Sequence, residues 1–164
     1  MDDELPSVYV ETSVLSYLAA RPSNNLIVAA QQELTREWWT LGRSHYRLVL
    51  SKFVLDEISK GNPEAAERRL SFASEFPLLE VDNDVLRLSN SFMKSGIIPP
   101  KGEVDAAHIA VATRHEIDYL LTWNCRHIAN AAIQRRLAGI AVKEGYELSY
   151  ICTPSDLFGG NEVV

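Results

Sequence analysis

Cysteine is scarce in this 164-residue sequence, with only Cys125 and Cys152 and no metal-type spacing around either. A disulfide framework is excluded. Two free thiols fit a reducing cytoplasm, and each reads as a small buried hydrophobe. No apolar run approaches the length needed to cross a bilayer. The start, MDDELPS, is acidic and lacks a basic-then-apolar pattern, so no secretory signal is expected. Basic residues are outnumbered 16 to 22, giving a net charge of −6. That argues against a protein that coats nucleic acid with a basic face. It leaves room for an enzyme whose acidic pocket meets phosphate only after a divalent cation reverses the local sign. There is no glycine-rich phosphate loop after the first strand. Neither cysteine has a histidine with an evident orienting acid, so no nucleophile system competes.

What is present is the composition of one globular domain, 46% hydrophobic and 23% charged, without repeats or a linker. Strand and helix patterns alternate along it. Val8–Val10 reads as a first strand, followed by a helix carrying Val14, Leu15, Tyr17 and Leu18 with Thr12 or Ser13 as its N-cap. Residues 26 to 42 read as one long helix with Ile27, Ala30, Leu34, Trp38 and Leu41 on its apolar side. Adjacent Trp38 and Trp39 should then give one core ring and one exposed ring fit for a partner contact. Residues 46 to 50 form a second strand, and Ser51 caps a helix over 53 to 59. A helix over 64 to 76, a strand over 78 to 81 and a helix from Asp82 to Lys94 follow. Then come a helix from Gly102, a strand over 119 to 121, a helix from Asn124 to about Leu137 and a last strand over 148 to 152, before a polar tail. This order predicts an α/β fold in three layers, a central parallel sheet of about five strands with helices on both faces.

The anomaly is GEVDAAHIAVATRHEIDYLLTWNCRH, residues 102 to 127. Asp105 and His108 stand one turn apart in a helix otherwise apolar almost all the way round. A carboxylate there must meet a cation or strong donors. Glu11 ends the first strand and Asn124 follows the fourth, while Glu57 and Asp105 lie on helices entered from the same rim. If the first and fourth strands are neighbours, where strand order reverses, these groups face one crevice. Oxygen ligands of this kind suit Mg²⁺ or Mn²⁺. On this reading Glu57 points inward and its neighbour Asp56 outward. Ser13 and Thr122 would hydrogen-bond ligating carboxylates or waters, and His108 would orient Asp105, touch substrate or be satisfied in the core. Arg21, Lys101, Arg126 and His127 are candidates to meet phosphate.

The segments VYVETSVLSYL, LSKFVLDEI, GEVDAAHIAVA and DYLLTWNCRHIAN resemble, in order, the four signature segments of a PIN domain in its VapC-like ribonuclease branch. The resemblance covers residues 7 to 157. It implies a parallel sheet with strands one and four central, and a Mg²⁺- or Mn²⁺-dependent endoribonuclease. It also implies the toxin of a type II toxin–antitoxin pair with RNA as substrate, an antitoxin protein as partner and homodimeric assembly. Carried over residue by residue, the family's acids fall on Glu11, Glu57, Asp105 and Asn124 as metal-binding and catalytic groups. Glu11 stands where aspartate is usual and reaches one methylene further. Asn124, also usually aspartate, brings an oxygen but no charge. With three charges in place of four, one firmly bound ion is expected before RNA arrives. Without metal, mutual repulsion should raise at least one carboxyl pKa.

Each residue also has a plain reading. Asp105 complements the helix dipole, Glu11 ends a strand, Glu57 sits on a solvated acidic face and Asn124 caps the next helix. Two other functions stay open: a catalytically impaired PIN-like module binding RNA or protein, and a phosphatase-like hydrolase.

Overall fold

Strand β1, Ser7–Val10, is buried along its whole length and occupies the middle of a five-stranded sheet. The computed structural model describes residues 5–157. The first four residues and the tail from 158 lie outside that range. The other strands are β2 Arg47–Ser51, β3 Leu78–Leu79, β4 Tyr119–Leu121 and β5 Tyr150–Cys152. The order is β3-β2-β1-β4-β5, and every pairing is parallel. Residues such as Val8, Tyr9, Val10, Leu50, Leu120 and Leu121 are buried on both faces, as a covered parallel sheet requires.

The helices are α1 Thr12–Ala19, α2 Leu26–Glu37, α3 Lys52–Ile58, α4 Pro63–Ala73, α5 Asn83–Lys94, α6 Glu103–Arg114, α7 Ala131–Lys143 and α8 Pro154–Leu157. The chain winds from β1 outward to β3, then crosses back beyond β1 to β4 and β5. In a parallel sheet the crossover helices made before such a reversal and those made after it are expected on opposite faces. Accordingly α1, α2 and α4 pack together, as do α5, α6 and α7. The expected α/β architecture is therefore present, and β1 and β4 are neighbours. Their carboxyl ends open the crevice of the switch point.

Helix α6 explains how the second layer comes so close. Ala106 through Thr113 are all buried, and α6 packs closely on α5, whose Val85, Leu88 and Phe92 are buried too. Each large apolar side chain buried there contributes about 1.5–3 kcal/mol. Arg114 at the end of α6 reaches Asp82 and Asp84 at the start of α5, tying the two ends together.

Several expectations are corrected. Glu11, not Thr12 or Ser13, is the N-cap of α1, its carboxylate accepting the Ser13 N–H. The α-helix after the first break stops at Glu37, and Trp38–Gly42 continues as a π-helical turn. Adjacent side chains diverge less on that wider turn, so Trp38 and Trp39 are both buried. Trp39 meets Phe72 and Phe76 edge-on. Of the anticipated apolar side, Ile27, Ala30 and Leu41 are exposed (Ile27 72%, Leu41 62%), Leu34 is half-buried and only Trp38 is buried, and Leu26 beside them is 86% exposed. Gln32 and Thr35 are buried instead, Gln32 bonded to Ser23 N and Arg21 O and Thr35 to Gln31 O and the Trp123 indole. Helix α7 begins at Ala131, capped by Asn130 rather than Asn124. Of the cysteines, Cys152 is buried, and burial pushes its thiol up to about 12, but Cys125 is exposed. No helix among the described residues is long and apolar enough to cross a membrane.

Candidate metal centre

Glu11 is the residue after β1, and its backbone N–H donates to Leu121 O at the end of β4. That bond sets its side chain at the switch point. The residue is 5% exposed, so its carboxylate depends on local donors. Three reach Oε2: Ser13 N at 2.9 Å, Ser13 Oγ, and Thr122 Oγ1 at 2.8 Å. Both hydroxyls are themselves held. Ser13 Oγ accepts the N–H of Trp123 at 2.8 Å, and Thr122 Oγ1 accepts that of Asn124 at 2.9 Å. The turn after β1 and the turn after β4 are thus stitched around one oxygen of Glu11.

Glu57 comes from α3, entered directly from β2 with Ser51 as cap. Its neighbour Asp56 is exposed, while Glu57 is half-buried and turned inward. Oε1 accepts Thr12 Oγ1 at 2.7 Å and lies 2.5 Å from His108 Nε2. Burial pushes the Glu57 carboxyl upward, but the hydrogen bond and charge of His108, together with Thr12, outweigh it and hold the pKa below its ordinary value. His108 is fully buried on α6, with Nδ1 2.7 Å from the Tyr9 hydroxyl. It touches Glu57 rather than orienting Asp105. Glu11, Glu57 and His108 each offer an atom such that all three lie within 4.8 Å of one another.

Asp105 stands outside that trio, in the first turn of α6. Oδ1 accepts Asn124 Nδ2 at 3.2 Å. Its pKa is raised, first by burial and then by the charge of Glu11, with Glu57 adding to it and His108 and His127 opposing. A carboxyl raised by clustered charges is the behaviour expected of this pocket without a cation. Asn124 turns its amide nitrogen to Asp105, and its Oδ1 accepts the His127 N–H at 3.1 Å. It is a donor to Asp105 and a turn cap at once.

Among the described residues no hydrogen bond reaches Oε1 of Glu11, Oε2 of Glu57 or Oδ2 of Asp105. Each carboxylate is therefore clamped through one oxygen and uncommitted through the other. Carboxylate oxygens left free in this way are donors of the kind a hard divalent ion such as Mg²⁺ or Mn²⁺ takes, and Glu11 and Glu57 belong to the group whose ligand atoms lie close enough to share one ion. Arg21, Lys101 and Arg126 are exposed and bond to none of these carboxylates. His127 is close enough for its charge to act on Asp105. Tyr9, Ser51 and Thr12 were not anticipated as parts of this cluster. A tyrosine inside a fully apolar strand was the one available signal.

A cavity of about 910 Å³ lies beside Tyr46, Asp118, Tyr119 and Tyr150, towards the amino-terminal ends of the strands. Its acids are already satisfied, Asp118 by Ser7 and Asp156 by Thr153. The carboxylate cluster lies elsewhere, at the carboxyl ends of β1 and β4. No protein-family model matches this chain, and no curated protein matches it.

Proposed function

We propose that the chain is a Mg²⁺- or Mn²⁺-dependent endoribonuclease of the PIN type, VapC-like, working as the toxin of a toxin–antitoxin pair in the cytoplasm. One observation carries this reading. Carboxylates from residues 11, 57 and 105 approach one crevice, each with one oxygen fixed by donors and one uncommitted. Glu11, Glu57 and Asp105 would hold the ion. When bound, it would supply a water of lowered pKa and neutralise charge on the phosphate under attack. The chain supplies the rest. Ser13 and Thr122 fix the direction of Glu11, Thr12 and His108 fix Glu57, and Asn124 fixes Asp105. In this reading Asn124 positions Asp105 instead of ligating. His127, Arg126, Lys101 and Arg21 would, in the same reading, meet RNA phosphates further from the reacting one.

The exposed apolar side of α2 favours a protein contact, with a second copy or an antitoxin as its occupant. That surface is also what a catalytically impaired, partner-binding PIN-like module would keep. Cleavage of single-stranded RNA in Mn²⁺ separates the two. The nuclease reading expects cleavage by the wild type and its loss in Asp105→Ala purified identically. No wild-type cleavage, or equal cleavage by both proteins, contradicts it.

A further inference from the structure

Ser51, Tyr9, His108 and Glu57 form one hydrogen-bonded chain running from the core to the crevice. Tyr9 Oη lies 2.7 Å from both Ser51 Oγ and His108 Nδ1, and His108 Nε2 lies 2.5 Å from Glu57 Oε1. Ser51, Tyr9 and His108 are all buried, with no exposed surface. Ser51 Oγ already accepts the Phe53 N–H at 3.2 Å. Water cannot cover an error in this chain, so the protons can be counted.

In one arrangement the Ser51 hydroxyl donates to Tyr9, the Tyr9 hydroxyl donates to His108 Nδ1, and Nε2–H donates to Glu57. Every proton then has an acceptor. In the reverse arrangement Nδ1–H donates to Tyr9 and Tyr9 donates to Ser51. The Ser51 proton is then left with no acceptor among the described residues, whether Nε2 is bare and faces the carboxylate oxygen or is protonated as well, in an imidazolium paired with Glu57. A buried unmet donor is costly, so the first arrangement wins.

We propose that His108 is a positioning residue and not a metal ligand: Tyr9 locks it as the Nε2–H tautomer, which grips Oε1 of Glu57 and leaves Oε2 to the cation. This rests on the metal-dependent reading above and deepens it, because the trio of Glu11, Glu57 and His108 would otherwise pass for a mixed carboxylate–imidazole site. With the imidazole withheld, the donor set is all oxygen and selects Mg²⁺ or Mn²⁺ over metals that prefer nitrogen.

The test joins two measurements on the full chain. Long-range ¹⁵N NMR of the metal-free wild type reads the His108 tautomer, and Mg²⁺ addition shows whether the Nε2 proton survives. Calorimetry then compares Mn²⁺ binding in wild type, His108→Gln and His108→Ala. A Gln amide can still donate to Glu57, so His108→Gln should stay within about threefold of wild type, while His108→Ala should lose about 10- to 100-fold. An Nδ1–H tautomer, loss of the Nε2 proton on Mg²⁺ addition, or equal loss in both variants overturns the assignment. Failure of the wild type to take up either ion overturns the metal reading as well, and differs visibly from a wrong tautomer with normal uptake. If the variants do not fold, the wild-type spectrum decides alone.

Discussion

Asn124 donates from Nδ2 to Oδ1 of Asp105 at 3.2 Å while its own Oδ1 caps the His127 N–H at 3.1 Å. An amide does both jobs, and a carboxylate can do only the second. Asn124→Asp would replace the donated hydrogen bond with a second negative charge beside a carboxyl already raised by burial and by Glu11. The metal-free variant should lose about 1–3 kcal/mol in urea unfolding, the cost of an unmet partner plus like-charge contact. Saturating Mn²⁺ should recover most of that loss. An unchanged metal-free midpoint would show that the Asn124–Asp105 bond contributes nothing.

Asp105 and Glu57 should shape the pH profile of metal-free stability in opposite senses. Asp105 is raised above 3.8, so its contribution is fully present below 3.8 and lost as pH rises through the folded-state value. Glu57 is lowered below 4.5, so its contribution is present above 4.5 and lost as pH falls through the folded-state value. At neutral pH Asp105→Asn should therefore raise the metal-free melting temperature. Glu57→Gln should lower it and flatten the acid limb. Thermal melts from pH 3 to pH 8 in a chelator check both signs.

Thr122 holds two groups with one fully buried hydroxyl, donating to Glu11 Oε2 and accepting from Asn124 N. Thr122→Val keeps the shape and removes both bonds. A destabilisation of about 1–3 kcal/mol is expected, together with weaker Mn²⁺ binding measured by calorimetry. Stability loss with unchanged ion affinity would mean that fixing Glu11 is irrelevant to the cation.

Gly102 precedes α6 where a Cβ would lie 2.5 Å from Ile98 Cγ2 and 3.6 Å from Asp105 Oδ2. Ile98 is 1% exposed and has nowhere to retreat. Gly102→Ala should cost about 1–3 kcal/mol through overpacking and tilt the first turn that carries Asp105. Chemical denaturation measures the first effect and ion affinity the second.

The layered fold was legible because a parallel sheet writes itself as short apolar runs between helical periods. Ser51 and Asp82 were readable as caps because small polar residues before apolar periods have few other uses. The direction of Glu57 followed from the apolar neighbours that turn Asp56 away. The face of α2 was not legible, since periodicity gives a stripe but not the side on which the body lies. Buried Gln32 and Thr35 show their partners only in three dimensions. Two asparagines, 124 and 130, look alike as helix caps, and only the turn closed by Ile128 and Ala129 onto Asn124 O separates them. The Tyr9–His108 link joins residues 99 positions apart, with nothing local to announce it.

The measurement closest to the central claim is anomalous diffraction from crystals grown with Mn²⁺ and without RNA. One ion is expected, bonded to oxygens of Glu11, Glu57 and Asp105, with His108 Nε2 outside its coordination sphere. Three charges and a neutral Asn124 leave no reason for a second tightly held ion. Two full sites, an ion bound elsewhere, or an empty crevice at saturating Mn²⁺ would contradict the account.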